Sequence, residues 1–195
     1  MGADKLERRQ AARRELGLDP AAFVVATIGM LRPDKRQEDL LRVVHLLRQR
    51  GLPAHALVVG MPTRGTMAYG QKLQELVAEL GIGGCVTFAG HREDIASVIH
   101  AADAVLVPSV NEAWSRVVPE AYAARCPVVA SAVGDCRRSF TLAARVGWRR
   151  WVTSPVLPND WRGSGRIRSR PPASQSRRGR SPTVTWYCPR RWPRR

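Results

Sequence analysis

Five short valine-bearing apolar runs, each followed by a glycine or a polar loop, recur at residues 23–28, 54–59, 86–88, 104–107 and 127–130. Runs apolar on both alternating faces suit strands buried on both sides of a sheet. Between them lie segments with helical apolar spacing. Residues 37–50 place Leu40, Leu41, Val43, Val44, Leu46 and Leu47 on one broad face, and residues 67–80 do the same with Leu73, Leu76, Val77 and Leu80. Gly51 and Gly81 are their stops, and Asp94 is placed to cap a further helix over residues 95–101. Strand and helix in strict alternation, joined by short loops, predict an α/β fold: a Rossmann-like doubly wound parallel sheet of five strands. A polar helix over residues 5–16, with Leu6 and Leu16 as its large apolar anchors and Gly17 as its end, makes residues 1–22 an entry or linker segment. The sheet-forming domain is then expected over residues 23–135.

Charge separates this body from the residues after it. Residues 1–135 hold 16 Lys+Arg against 15 Asp+Glu, whereas residues 136–195 hold 16 Arg against Asp160 alone, so nearly all of the net charge of +16 lies in the tail. A basic pI carried by an appendix does not make the body a nucleic-acid or membrane surface. The tail lacks helical or strand periodicity, is crowded with Arg, Pro, Ser and Gly, and holds five of the six Trp. It is expected to be irregular and disordered. Two readings of it stay open: a natural polycation able to bind nucleic acid non-specifically through arginine and stacked aromatics, or the product of a shifted reading frame after Asp135. Cys85, Cys126, Cys136 and Cys188 show no metal-ligand spacing, and no amino-terminal signal peptide or run of about 20 apolar residues is present. The expectation is a reduced, cytoplasmic protein without a membrane span, with Cys85 and Cys126 in its core.

Ligands of open parallel sheets bind beyond the carboxyl ends of the strands. The loop after residue 107 is therefore the place for a site, and it carries Glu112, with Glu120 on the short helix after it. Two solvated acids at a helix end would have the same spacing. The loop after the first strand, G-M-L-R-P-D-K at residues 29–35, brings Arg32 and Lys35 to the same end of the sheet. His91 leaves the third strand there too, as a surface residue or a base contact, while His45, His55 and His100 read as structural.

Four blocks in order carry a resemblance: residues 29–35, V-T-F-A-G-H-R-E-D-I at 86–95, A-A-D-A-V-L-V-P-S at 101–109, and Glu112 and Glu120 with seven residues between them, followed by A-A-R-C-P-V-V-A-S at 123–131. Residues 13–134 resemble the donor-nucleotide, carboxyl-terminal domain of retaining GT-B glycosyltransferases, the group marked by that pair of glutamates. The resemblance implies transfer of a sugar from a nucleotide diphosphate sugar to an unknown acceptor. Glu112 would hold the transferring sugar, Glu120 the ribose hydroxyls, and Lys35 the diphosphate, stabilising charge on the leaving nucleotide. Gly29 and the backbone of Trp114, Ser115, Arg116, Val117 and Val118 would complete the donor site. No cofactor and no metal are implied beyond the sugar nucleotide.

Two departures stand out. Where the family commonly has an arginine after the glycine that ends strand one, this chain has Met30, and Arg32 would reach from the same loop. The family's G-F-G reads Ala113-Trp114-Ser115, which adds side chains where backbone approaches ligand. The resemblance also implies an amino-terminal acceptor domain outside this sequence, and it leaves the 23–135 domain incomplete at its carboxyl-terminal end, where Asp135-Cys136-Arg137 replaces the family's second glycine and its helix, so the chain alone would be poorly active or inactive. A basic nucleic-acid-associated protein, or a frameshifted product without function, are the alternatives.

Overall fold

In the computed structural model, residues 2–131 and 133 are described, together with the backbone of two short strands at 151–153 and 184–187. The chain runs α1 (Gly2–Glu15), β1 (Phe23–Ile28), a 3-10 turn (Pro33–Lys35), α2 (Gln37–Gln49), β2 (Ala54–Val59), a 3-10 turn (Arg64–Thr66) and α3 (Met67–Glu79). It continues through a 3-10 turn (Gly83–Cys85), β3 (Val86–Gly90), α4 (Ile95–Ala101), β4 (Ala104–Val107), α5 (Val117–Ala123) and β5 (Val128–Ser131). The sheet order is β3-β2-β1-β4-β5, with all four of these pairings parallel. The doubly wound sheet expected from the sequence is the sheet observed.

Strand alternation sorts the core into two layers. Val24, Ala26, Leu57, Val59, Val105, Val107, Val128 and Ala130 face one side and pack with Ala12 of α1, Val98 and Ile99 of α4, and Val118 and Ala121 of α5. Val25, Ala56, Val58, Leu106 and Val129 face the other, against Leu40, Leu41 and Val44 of α2 and Tyr69 and Leu73 of α3. Leu40, Leu41, Leu57 and Leu73 are fully buried, and each such side chain contributes about 2 kcal/mol of apolar burial. The apolar face of α2 is narrower than its sequence suggests. Leu46 is exposed, because a helix lying on a flat sheet buries only one stripe.

Of the two leucines expected to anchor α1, Leu16 packs against the core just past the helix end, and Leu6 does not. Leu6 is 55% exposed, and Arg13, at 2%, is buried in its stead. Its guanidinium donates to the carbonyls of Ala101, Pro20 and Ala22 and to the Asp103 carboxylate, at 2.7–3.0 Å. Asp94 stands at the start of α4, but its carboxylate accepts from Arg92 Nε at 2.7 Å and Nη2 at 2.6 Å instead of capping the helix amides. Arg92 also reaches Glu15 of α1. Cys126 is buried, its thiol pushed up to about 12 chiefly by desolvation, whereas Cys85 is half-buried; both are free thiols.

Beyond β5 the sheet gains two short antiparallel strands, β6 (Trp151–Thr153) and β7 (Val184–Tyr187), in the order β5-β7-β6. They depart from the expectation of an irregular tail. W-V-T and V-T-W-Y are β-branched and aromatic, and β5 would otherwise present an unpaired edge; runs this short give no readable period. The rest of the tail reading, disorder and nucleic-acid binding included, lies outside the described residues.

Candidate functional site

The sheet order fixes where a crevice opens. From β1 the chain turns to α2 on one face, and from β4 it turns to α5 on the opposite face, while β1 and β4 are neighbours. This is the topological switch point of a doubly wound sheet, where departing loops part and leave room for a ligand. Lys35 ends the 3-10 turn after β1 and Glu112 lies in the loop after β4. The Lys35 Nζ stands 2.7 Å from the Glu112 Oε2, closing a bridge across the switch point between residues 77 apart in sequence.

Neighbouring contacts fix that bridge in place. Ser109 Oγ donates to the same Glu112 oxygen at 3.0 Å, and the Val110 N–H donates to the Asp34 carbonyl at 2.9 Å, joining the two loops through backbone as well. Glu112 is 9% exposed and Ser109 is 2% exposed. A carboxylate this deep needs such donors to offset its lost hydration. The turn that aims Lys35 ends at Arg36 in the left-handed region, φ 52, where a side chain is disfavoured. Arg36 makes two hydrogen bonds to Asp39, at 2.7 and 3.0 Å, which raise its already high pKa and occupy its guanidinium outside the crevice. Gln37, buried at the start of α2, donates to the Met30 carbonyl at 2.9 Å and pins the exit of β1.

Glycines make the rim low. A Cβ on Gly60 would fall 1.9 Å from the Gly29 carbonyl oxygen, so the exits of β1 and β2 approach as only glycine at position 60 permits, and the Gly60 N–H reaches the Gly90 carbonyl at 2.7 Å. Around this rim Met30, Met61 and Trp114 are at least half exposed, and His91 is exposed.

The other expected site residues divide into groups. Arg32 lies on the β1 loop but is paired with Asp34 at 2.9 Å, in a partly exposed contact that a stronger anion can displace. Glu120 projects from α5 as an exposed residue, and Arg116 is exposed immediately before that helix. Ser115 is buried and Val117 half-buried. Val118 belongs to the core, and its N–H turns to the Ser115 carbonyl at 3.4 Å, so α5 uses that amide itself. The structure thus brings Lys35 and Glu112 together and leaves Arg32 on its own loop. Ser109 and Gln37 were not among the residues expected from sequence. A serine three residues before Glu112 in the same loop was the available signal for Ser109; for Gln37, a polar residue at a helix start, there was none. Among the described residues, no three His, Cys, Asp or Glu side chains are grouped to hold a metal ion, and no helix is long and apolar enough to cross a membrane.

Comparison with known proteins decides which family built this crevice. The profile described as glycosyl transferases group 1 matches residues 22–145. The chain belongs to the group 1 glycosyl transferases. A D-inositol 3-phosphate glycosyltransferase of Mycolicibacterium gilvum is 40% identical over 155 residues, covering 78% of this chain and 33% of that protein. The chain therefore spans about a third of the length of the curated relatives it matches. Among solved structures, Anabaena HepE in complex with UDP and glucose superposes with a TM-score of 0.63 at 29% identity, over 68% of this chain and 35% of that one. The C-terminal domain of LpcC, a glycosyl transferase group 1 family protein from Francisella tularensis, gives 0.57 at 25% identity, over 65% and 66%. The sheet of this group 1 chain is accordingly one Rossmann-like half of a GT-B fold, as the order of its sequence blocks implied.

Proposed function

We propose that this chain is the donor-binding half of a retaining glycosyltransferase and that a nucleotide diphosphate sugar lies in the crevice over β1 and β4. The observation that carries the reading is the Lys35–Glu112 bridge at 2.7 Å across the switch point. It sets a cation for phosphate oxygens beside a carboxylate for sugar hydroxyls. UDP in complexes of HepE supports uridine diphosphate as the first nucleotide to try.

In this reading the diphosphate takes the Lys35 ammonium, and Arg32 exchanges Asp34 for the same phosphates. As the bond between the anomeric carbon and the phosphate oxygen breaks, these cations stabilise charge on the departing nucleotide. Glu112, held by Ser109, accepts hydrogen bonds from the sugar. Glu120, exposed on α5, accepts them from the ribose diol, with Trp114 and His91 at the mouth. The cations already present make metal unnecessary, so EDTA leaves binding unchanged. Acceptor recognition is assigned to the part of such enzymes that this chain does not match, and the chain alone binds donor without appreciable turnover.

Calorimetry with UDP and UDP-glucose tests the assignment. Glu120→Ala weakens both ligands about tenfold or more, as removal of a charged hydrogen-bond partner should, and Lys35→Ala does the same. Absence of UDP binding, or binding indifferent to both substitutions, sinks the reading.

A further inference from the structure

We infer that Ser109 is a positioning residue of the donor site, setting which oxygen of Glu112 is left to meet the sugar. The inference rests on the donor-site reading above and adds to it a residue that neither the spacing of the two glutamates nor the family comparison singles out.

The geometry is specific. Among the described residues the donors to Glu112, the Ser109 hydroxyl at 3.0 Å and the Lys35 ammonium at 2.7 Å, both act on Oε2. A carboxylate with one oxygen tied twice has a fixed plane, and Oε1, bonded by none of the described residues, is the oxygen left for a ligand. The two ties differ in what a bound donor does to them. Lys35 lies on a different loop, its side chain is 23% exposed, and it is the group that a diphosphate attracts. Ser109 is 2% exposed and sits immediately after Pro108 at the exit of β4, on the same loop as Glu112. When Lys35 turns towards phosphate, Ser109 is the donor that stays on Oε2. It keeps the carboxylate oriented at the moment the sugar is held, which is when a misplaced acceptor is most costly. The backbone bond from Val110 to Asp34 holds the loop itself, so removal of the hydroxyl frees the carboxylate without freeing the loop.

Such a role separates sugar from nucleotide. Glu112 touches the sugar in this reading and UDP lacks the sugar, so Ser109→Ala weakens UDP-glucose about tenfold and leaves UDP within twofold. In a Glu112→Ala background the same substitution has no further effect on UDP-glucose, because the group it positions is gone. The experiment is calorimetry of the full chain and of these three variants with UDP and UDP-glucose, with urea unfolding of each to confirm that the fold is kept. Equal losses for UDP and UDP-glucose, no loss for either, or a tenfold loss that persists without Glu112, overturn the role of Ser109 while leaving the donor site standing. Failure of the unmodified chain to bind UDP overturns the donor site and this inference together.

Discussion

Arg13 is buried because five acceptors surround it. Besides the Ala101, Pro20 and Ala22 carbonyls and Asp103, its guanidinium approaches the Asp19 carbonyl at 3.3 Å. Burial lowers its pKa and Asp103 opposes that shift, so it remains a cation. Asp103 in turn accepts the Val24 N–H at 2.9 Å and an Arg9 nitrogen at 2.7 Å, tying α1 to the starts of β1 and β4. Removing the acid would strand a charge, which costs about 3 kcal/mol or more. Urea denaturation of Asp103→Ala should show a loss of that size, and a loss under about 1 kcal/mol would count against the clamp. This arrangement was illegible in the sequence, where α1 read as a polar helix with leucine anchors. A buried arginine is written like an exposed one, and the carbonyls it satisfies come from turns that assemble only when the chain folds.

At the scale of elements, the sequence was legible wherever burial is periodic. β1, β2 and β4 fall where their apolar runs do, and α4 spans its expected residues. β3 runs on to Gly90, two residues further than its apolar run, because the Gly60 N–H extends its pairing to the Gly90 carbonyl. Such a bond belongs to two strands and shows in neither alone. The packing of β1 against β2 at their exits is equally a property of the pair. Gly60 has φ 135 and no room for a Cβ beside the Gly29 carbonyl. Gly60→Ala should therefore push the two exits apart, costing more than about 2 kcal/mol, read as a fall in the urea midpoint and in UDP affinity together. A fall in neither would mean that the rim yields.

Across the whole molecule, two histidines tie stability to pH. His55, bonded to the Thr87 hydroxyl at 2.9 Å, and His100, with a buried Nδ1, both have pKa values lowered from 6.5, mainly by desolvation and further by nearby basic residues. In the native state they resist protonation that the unfolded chain accepts. Their contribution is therefore complete above pH 6.5 and is lost as pH falls through that value towards their native pKa values. The urea midpoint should be lower at pH 5.5 than at pH 7.5, and His55→Gln should shrink the difference; equal midpoints would refute the linkage. The sequence by itself determined the alternation of strands and helices, the end of the sheet at which the proposed site lies, and the family, since apolar period, glycine stops and motif order are local properties of the chain. Only the tertiary structure decided that Lys35 and Glu112 meet at 2.7 Å, that Ser109 holds the same oxygen, and that Arg32 rests on Asp34. Those facts depend on β1 lying beside β4, a neighbour relation between segments nearly 80 residues apart that no local pattern encodes.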